Sequence, residues 1–132
     1  MRLFVSLVLL TTAAFAQQPP PAPEKKFQME HYVMVFLYRA AAAPKISEAD
    51  ASKIMEGHMA NIRKMAATGK LIVAGPFTDG GDLRGLFLFN VASKEEAQAL
   101  CDQDPAVQAG RLIAEIHPWF AAKGITVAQN PK

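Results

Sequence analysis

Between Glu30 and Arg39 the sequence EHYVMVFLYR is apolar in both alternating registers. Tyr32, Met34, Phe36 and Tyr38 form one face, and His31, Val33, Val35 and Leu37 form the other. A short run of this kind is a strand covered on two sides. From Ile46 the period lengthens. Ile54, Met55, His58, Ile62, Met65 and Ala66 recur at three- and four-residue steps, which predicts a helix with one apolar stripe. Ser47 is a good N-cap, Glu48 and Asp50 place negative charge at the positive end of the helix dipole, and Gly69 stops the helix where a left-handed residue is needed. Leu71 to Ala74 then reads as a short buried strand ended by Gly75-Pro76.

The Gly/Asp-rich stretch Phe77 to Leu83 is long enough to form a loop over a pocket mouth, and Arg84 to Val91 is a third strand, again apolar on both sides. Ser93 and Glu96 make a capping box that opens a second helix from Lys94 to about Asp102. Asp104-Pro105 interrupts it, Ala106 to Gly110 makes a further turn, and Arg111 to His117 is a fourth strand closed by Pro118-Trp119-Phe120. The order β-α-β-β-α-β predicts an α+β, ferredoxin-like fold, an antiparallel four-stranded sheet with two helices on one face. Strands one and three carry the most continuous apolar runs and belong at the sheet centre. The helices leave the other face bare, although the strands are apolar there too, with Val35 and Leu37 as candidates for it. So large an apolar face is not left in water, which predicts a homodimer through the open sheet face, a dimeric α+β barrel.

The first residues fit neither strand nor helix of this domain. Arg2, the apolar run Leu3 to Leu10 and the small-residue pattern Ala14-Phe15-Ala16 make residues 1–16 a signal peptide cut after Ala16, too short to span a bilayer. The mature chain is expected to be secreted or periplasmic, with no membrane attachment after cleavage. Residues 17–28 form a proline-rich linker, 29–122 the folded domain and 123–132 a flexible tail. A chain of 132 residues supports one such domain. Loss of Arg2 takes Lys+Arg from 14 to 13 against 12 acids, a formal +1, and the bases are scattered, so nucleic-acid binding has no support. Cys101 is the single cysteine, which excludes an intrachain disulfide; it reads as a small buried residue of the second helix.

The odd member of the helical stripe is His58, a titratable ring among apolar neighbours. Imidazole suits general acid/base work near neutral pH, and a working histidine of this kind needs a carboxylate beside it. Asp104 is the best candidate. The two helices of a split β-α-β unit run antiparallel, so the exit of the second returns towards the first half of the opening one. The plainer alternatives are a satisfied core histidine and an ordinary Asp-Pro turn. Arg84 and Trp119 are the substrate-binding candidates; Arg84 and Arg111 start strands and could hold an anion, or be solvated charges. His31, His58 and His117 have no metal-ligand spacing, and Gly75-Pro76 and Gly80-Gly81 are turns rather than a phosphate loop, so neither metal nor cofactor is expected. Met55, Met59 and Met65 read as core packing. Ser52 lies nearly on the wrong face of the helix to complete a triad with His58.

An ordered set of these residues resembles the YCII-related (YciI-like) family: His58, Gly69, the Val73 to Pro76 strand end, Gly85, Asp104-Pro105 with Gly110, and Pro118-Trp119. The resemblance runs from about Met29 to Phe120. It implies a dimeric α+β barrel with an active site built on a histidine–aspartate pair, here His58 and Asp104. It also implies that most members have no assigned reaction, although one relative in chlorinated-aromatic breakdown removes chloride from a hydroxylated ring. Familiar members are cytoplasmic, and this chain departs from them in its signal peptide. Two classes of function follow. One is a small enzyme using the His-Asp pair for elimination or isomerisation of a small phenolic substrate. The other is a non-catalytic small-ligand-binding or structural dimeric barrel.

Overall fold

A computed structural model describes residues 26–128 of the chain; the signal-peptide segment, most of the proline-rich linker and the last four residues of the tail lie outside the described residues. Strands β1 (Met29–Arg39), β2 (Leu71–Pro76), β3 (Leu83–Phe89) and β4 (Leu112–Ala122) form one antiparallel sheet in the order β2-β3-β1-β4. The two most apolar strands, β1 and β3, take the centre. Helices α1 (Glu48–Ala67) and α2 (Lys94–Asp102) cover one face, and a one-turn helix α3 (Pro105–Gln108) follows α2. This is the ferredoxin-like α+β plan with one short helix added before the last strand.

The caps form as their residues require. Ser47 Oγ accepts the Asp50 N–H at 3.0 Å, and Gly69, just past the end of α1, takes a left-handed φ of 76°. At α2, Ser93 Oγ accepts the Glu96 N–H at 3.1 Å while the Glu96 carboxylate reaches back to the N–H of Ala92, one residue before the cap. That carboxylate also meets Lys70 Nζ at 2.8 Å, and the hydrogen bond from Lys70 holds it below its usual range.

The main core lies between the sheet and the helices. It contains Val33, Val35 and Leu37 of β1, Phe87 and Phe89 of β3, Met65 of α1, and Ala97 and Cys101 of α2. Val35 and Leu37 therefore face the helices, not the open side. The opposite register, Tyr32 and Met34 with Leu86 and Leu88, builds a second cluster on the helix-free face, joined by Ile72, Val73, Ala121 and Ile125. Burial of Cys101, reinforced by the charges of Asp104 and Asp102, pushes its thiol up to about 12, so it stays protonated.

Two segments depart from the sequence expectation. Strand β4 does not stop at His117. It continues through Pro118, Trp119 and Phe120 to Ala122, paired with β1 throughout. Proline is tolerated there because β4 is an edge strand, and an N–H missing from its outer side costs no ladder bond. The start of the tail is also held: the Tyr32 hydroxyl accepts the N–H groups of Gly124 at 3.0 Å and Ile125 at 3.3 Å.

Candidate active site

His58 sits mid-way along α1, on the stripe turned towards the sheet, and its side chain is 12% exposed. Asp104 is the N-cap of α3 and is fully buried. The turn between α2 and α3 carries its carboxylate under α1, so His58 Nδ1 lies 2.9 Å from Oδ1 and 2.8 Å from Oδ2. The carboxylate has two further donors, the Ala106 N–H at 2.9 Å on Oδ1 and Asn61 Nδ2 at 3.1 Å on Oδ2. Burial pushes the Asp104 carboxyl up, but the hydrogen bonds from His58 and Asn61, the charge of His58 and the Ala106 N–H outweigh it and hold the group below the usual carboxylate range. An ionised carboxylate only accepts, so Nδ1 carries the proton. That leaves Nε2 as the ring nitrogen available for chemistry.

Asn61 is the residue that sequence reasoning missed. It is three residues after His58 and four before Met65, and the available signal was a polar side chain on the helical face that the apolar stripe marks for burial.

His58 opens onto a cleft of about 630 Å³ between α1 and the end of the sheet where β1 finishes. Leu37, Ile54, Ile62 and Phe87 wall it, and the His58 and Phe87 rings lie nearly parallel with centroids 6.1 Å apart. Met55 and Met59 also line it and are 56% and 43% exposed, so only Met65 of the three methionines packs in the core. Ala106 of α3 closes one side of the cleft. Gly85 contributes floor: a Cβ there would meet the Gly75 carbonyl oxygen at 3.0 Å, so the β2–β3 contact leaves little room for a side chain. The loop from Phe77 to Asp82 lies beside the cleft and does not line it.

A profile of the YCII-related domain matches residues 31–120, from β1 to β4. The chain belongs to the YCII-related domain family. No curated protein matches it. Among solved structures it is similar to a 5-chloro-2-hydroxyhydroquinone dehydrochlorinase from Burkholderia phenoliruptrix AC1100, solved with 2,5-dihydroxybenzoquinone. The TM-score is 0.52 at 18% identity, over 67% of this chain and 92% of that one. That likeness is one of fold.

Of the residues singled out from sequence, the fold brings His58, Arg84 and Arg111 to the cleft and sets Asp104 against His58, buried away from it, but does not bring Trp119 there. Trp119 pairs with Tyr32 and packs on its ring at 6.3 Å, on the helix-free face, because strand parity sets it opposite the Pro118 and Phe120 side. The histidines are dispersed: His31 packs on Phe120, and His117 meets Glu115 Oε1 at 2.7 Å.

Proposed function

We propose that the chain is a small enzyme in which His58 moves a proton in the elimination or isomerisation of a small phenolic substrate. The observation that carries this is the saturated carboxylate. Asp104 receives hydrogen bonds from three sides and is held ionised against Nδ1 of a histidine that lines a cleft. This arrangement fixes the imidazole tautomer, turns Nε2 towards a bound molecule and stabilises the imidazolium formed when Nε2 accepts a proton. A ring lying in the cleft has Phe87 and aliphatic side chains to pack on. Nε2 would take a proton from a ring hydroxyl. Returned at a ring carbon, that proton gives the keto isomer; where this carbon carries a leaving group, loss of a second hydroxyl proton then expels the group as its anion and leaves a quinone. The dehydrochlorinase of similar fold, whose name gives a chlorinated hydroxylated ring as its substrate, supports the choice of substrate class.

The test is chloride release from 5-chloro-2-hydroxyhydroquinone by the protein and its His58→Ala variant. Loss of an acid/base group lowers turnover by about 10²–10⁴-fold. Equal rates in the two proteins would place the chemistry elsewhere.

Two further properties belong to this reading. The helix-free face is where a second copy would dock. In support, Met34, Phe36 and Leu86 are only half-buried there, and Ile113 is 55% exposed beside them. Export rests on the segment Arg2 to Ala16, and the active form is then the chain from Gln17 onward in a secreted or periplasmic setting.

A further inference from the structure

Three adjacent strands, β3, β1 and β4, each bring one arginine to the same end of the sheet. Arg39 closes β1, Arg84 is the second residue of β3 and Arg111 immediately precedes β4. Their backbones are tied side by side, since the Arg39 N–H donates to Asp82 O at 2.7 Å and the Ala40 N–H to Arg111 O at 3.0 Å. All three line the cleft that holds His58.

Arg84 reaches it through a bulge. Leu37 pairs with Gly85 but Tyr38 pairs with Leu83, so Leu83 and Arg84 together oppose one residue of β1. Strict alternation from Gly85, which faces the cleft, would turn Arg84 to the other side of the sheet; the extra residue re-aims it. Two of the guanidinium groups are steadied by backbone carbonyls, Arg84 by Gly81 O at 3.3 Å and Arg111 by Pro44 O at 3.2 Å. Each keeps further N–H donors free.

Among the described residues no carboxylate pairs with these charges. Besides His58, the arginines are, among the described residues, the only titratable side chains lining the cleft, and none of them is in an ion pair. Glu48 borders a shallow neighbouring groove with Arg111 without pairing to it, and the Asp79 carboxylate accepts the Gly81 N–H. Unopposed guanidinium groups at the rim of an apolar cleft focus a positive potential into it. Their planar fork matches a carboxylate with two parallel hydrogen bonds.

We propose that the arginine end is a specificity site for the carboxylate of a small aromatic acid, whose ring packs on Phe87 within reach of His58. The inference deepens the proton-transfer reading and rests on it for what happens to the ring, but the anion site stands or falls on binding alone.

The experiment compares 2,5-dihydroxybenzoate with hydroquinone, the same ring without the carboxylate, by calorimetric titration of the protein. The acid is expected to bind at least about tenfold more tightly, with an affinity that falls as salt is raised. Arg84→Gln and Arg111→Gln should each remove most of that preference, and Arg84→Lys should keep part of it. Equal affinity for the two compounds, no binding of either, or Gln variants that bind like the parent would overturn the proposal. Inorganic phosphate binding as tightly as the acid would overturn the carboxylate assignment. His58→Gln separates the two readings. If it retains the preference for the acid and also retains turnover, the anion site stands and the proton-transfer role does not.

Discussion

A Cβ built on Gly57 would lie 3.0 Å from Pro105 Cγ, so α1 and α3 pack with no room for more than a methyl group between them. Gly57 precedes His58 and Pro105 follows Asp104. The closeness of the two helices at this point is what lets a carboxylate on one reach an imidazole on the other. Gly57→Ala adds helix propensity but needs the proline ring to give by a few tenths of an ångström, and should be nearly neutral. Gly57→Leu must push α3 away. It should cost about 1–3 kcal/mol in urea unfolding and lower activity further than stability accounts for. A Leu variant as stable and active as the parent would show that the contact does not set the dyad's spacing.

The Asp104 carboxyl is depressed in the folded protein, so it binds a proton less readily there than in the unfolded chain. Its contribution to stability is present above the unfolded value, about 3.9, and is lost as pH falls through the lower folded value. Stability of the parent relative to Asp104→Asn should therefore be greatest near neutrality and shrink below about pH 4. Denaturant unfolding of both proteins from pH 7 to pH 3 measures it, and a difference that does not vary with pH would contradict the depressed carboxyl.

Asn61 donates to Asp104 Oδ2 and is itself buried. Asn61→Ala removes a hydrogen bond to a charged group and should destabilise the fold by about 1–3 kcal/mol. The Asp104 carboxyl should also titrate higher, which carboxyl-carbon NMR would read directly. An unchanged titration would mean that Asn61 only fills space.

Association through the helix-free face is tested at Leu86, which is half-buried there, rather than at Val35, which is fully buried under the helices. Leu86→Glu should leave a folded monomer, since an unpaired charge in the interface costs several kcal/mol. Val35→Glu should prevent folding. Sedimentation equilibrium distinguishes the two, and a parent protein that is monomeric at micromolar concentration would refute the interface.

Processing is checked by intact-mass measurement of the protein exported by its native host. The expected chain begins at Gln17; an uncleaved chain starting at Met1 would rule out the signal peptide.

Much of the architecture was legible because it depends on period and caps. The switch from alternating residues to the three- and four-residue spacing marked β1 and α1, and Ser47, Gly69 and Ser93 sit where their side chains or backbone are needed. Pro118 misled because X-Pro reads as a stop in isolation; only the edge position of β4 makes it harmless. Which face of β1 meets the helices is invisible when both faces are apolar, so Val35 and Leu37 could not be placed. Met55 and Met59 carry the helical stripe past the core and over an open cleft, which periodicity cannot distinguish from packing. Arg39 ends a strand like any solvated charge, and its partnership with Arg84 and Arg111 comes from pairings across the sheet.

Trp119 is the only tryptophan in the chain, and it lies against Tyr32 on the side of the sheet turned away from the cleft. The molecule therefore carries one optical reporter, placed where a second copy would dock and shielded from His58 by the full thickness of the sheet. Its emission should shift to the blue as concentration is raised through the association range. A ligand that fills the cleft should leave that emission unchanged, so a quenching assay would score a genuine binder as silent.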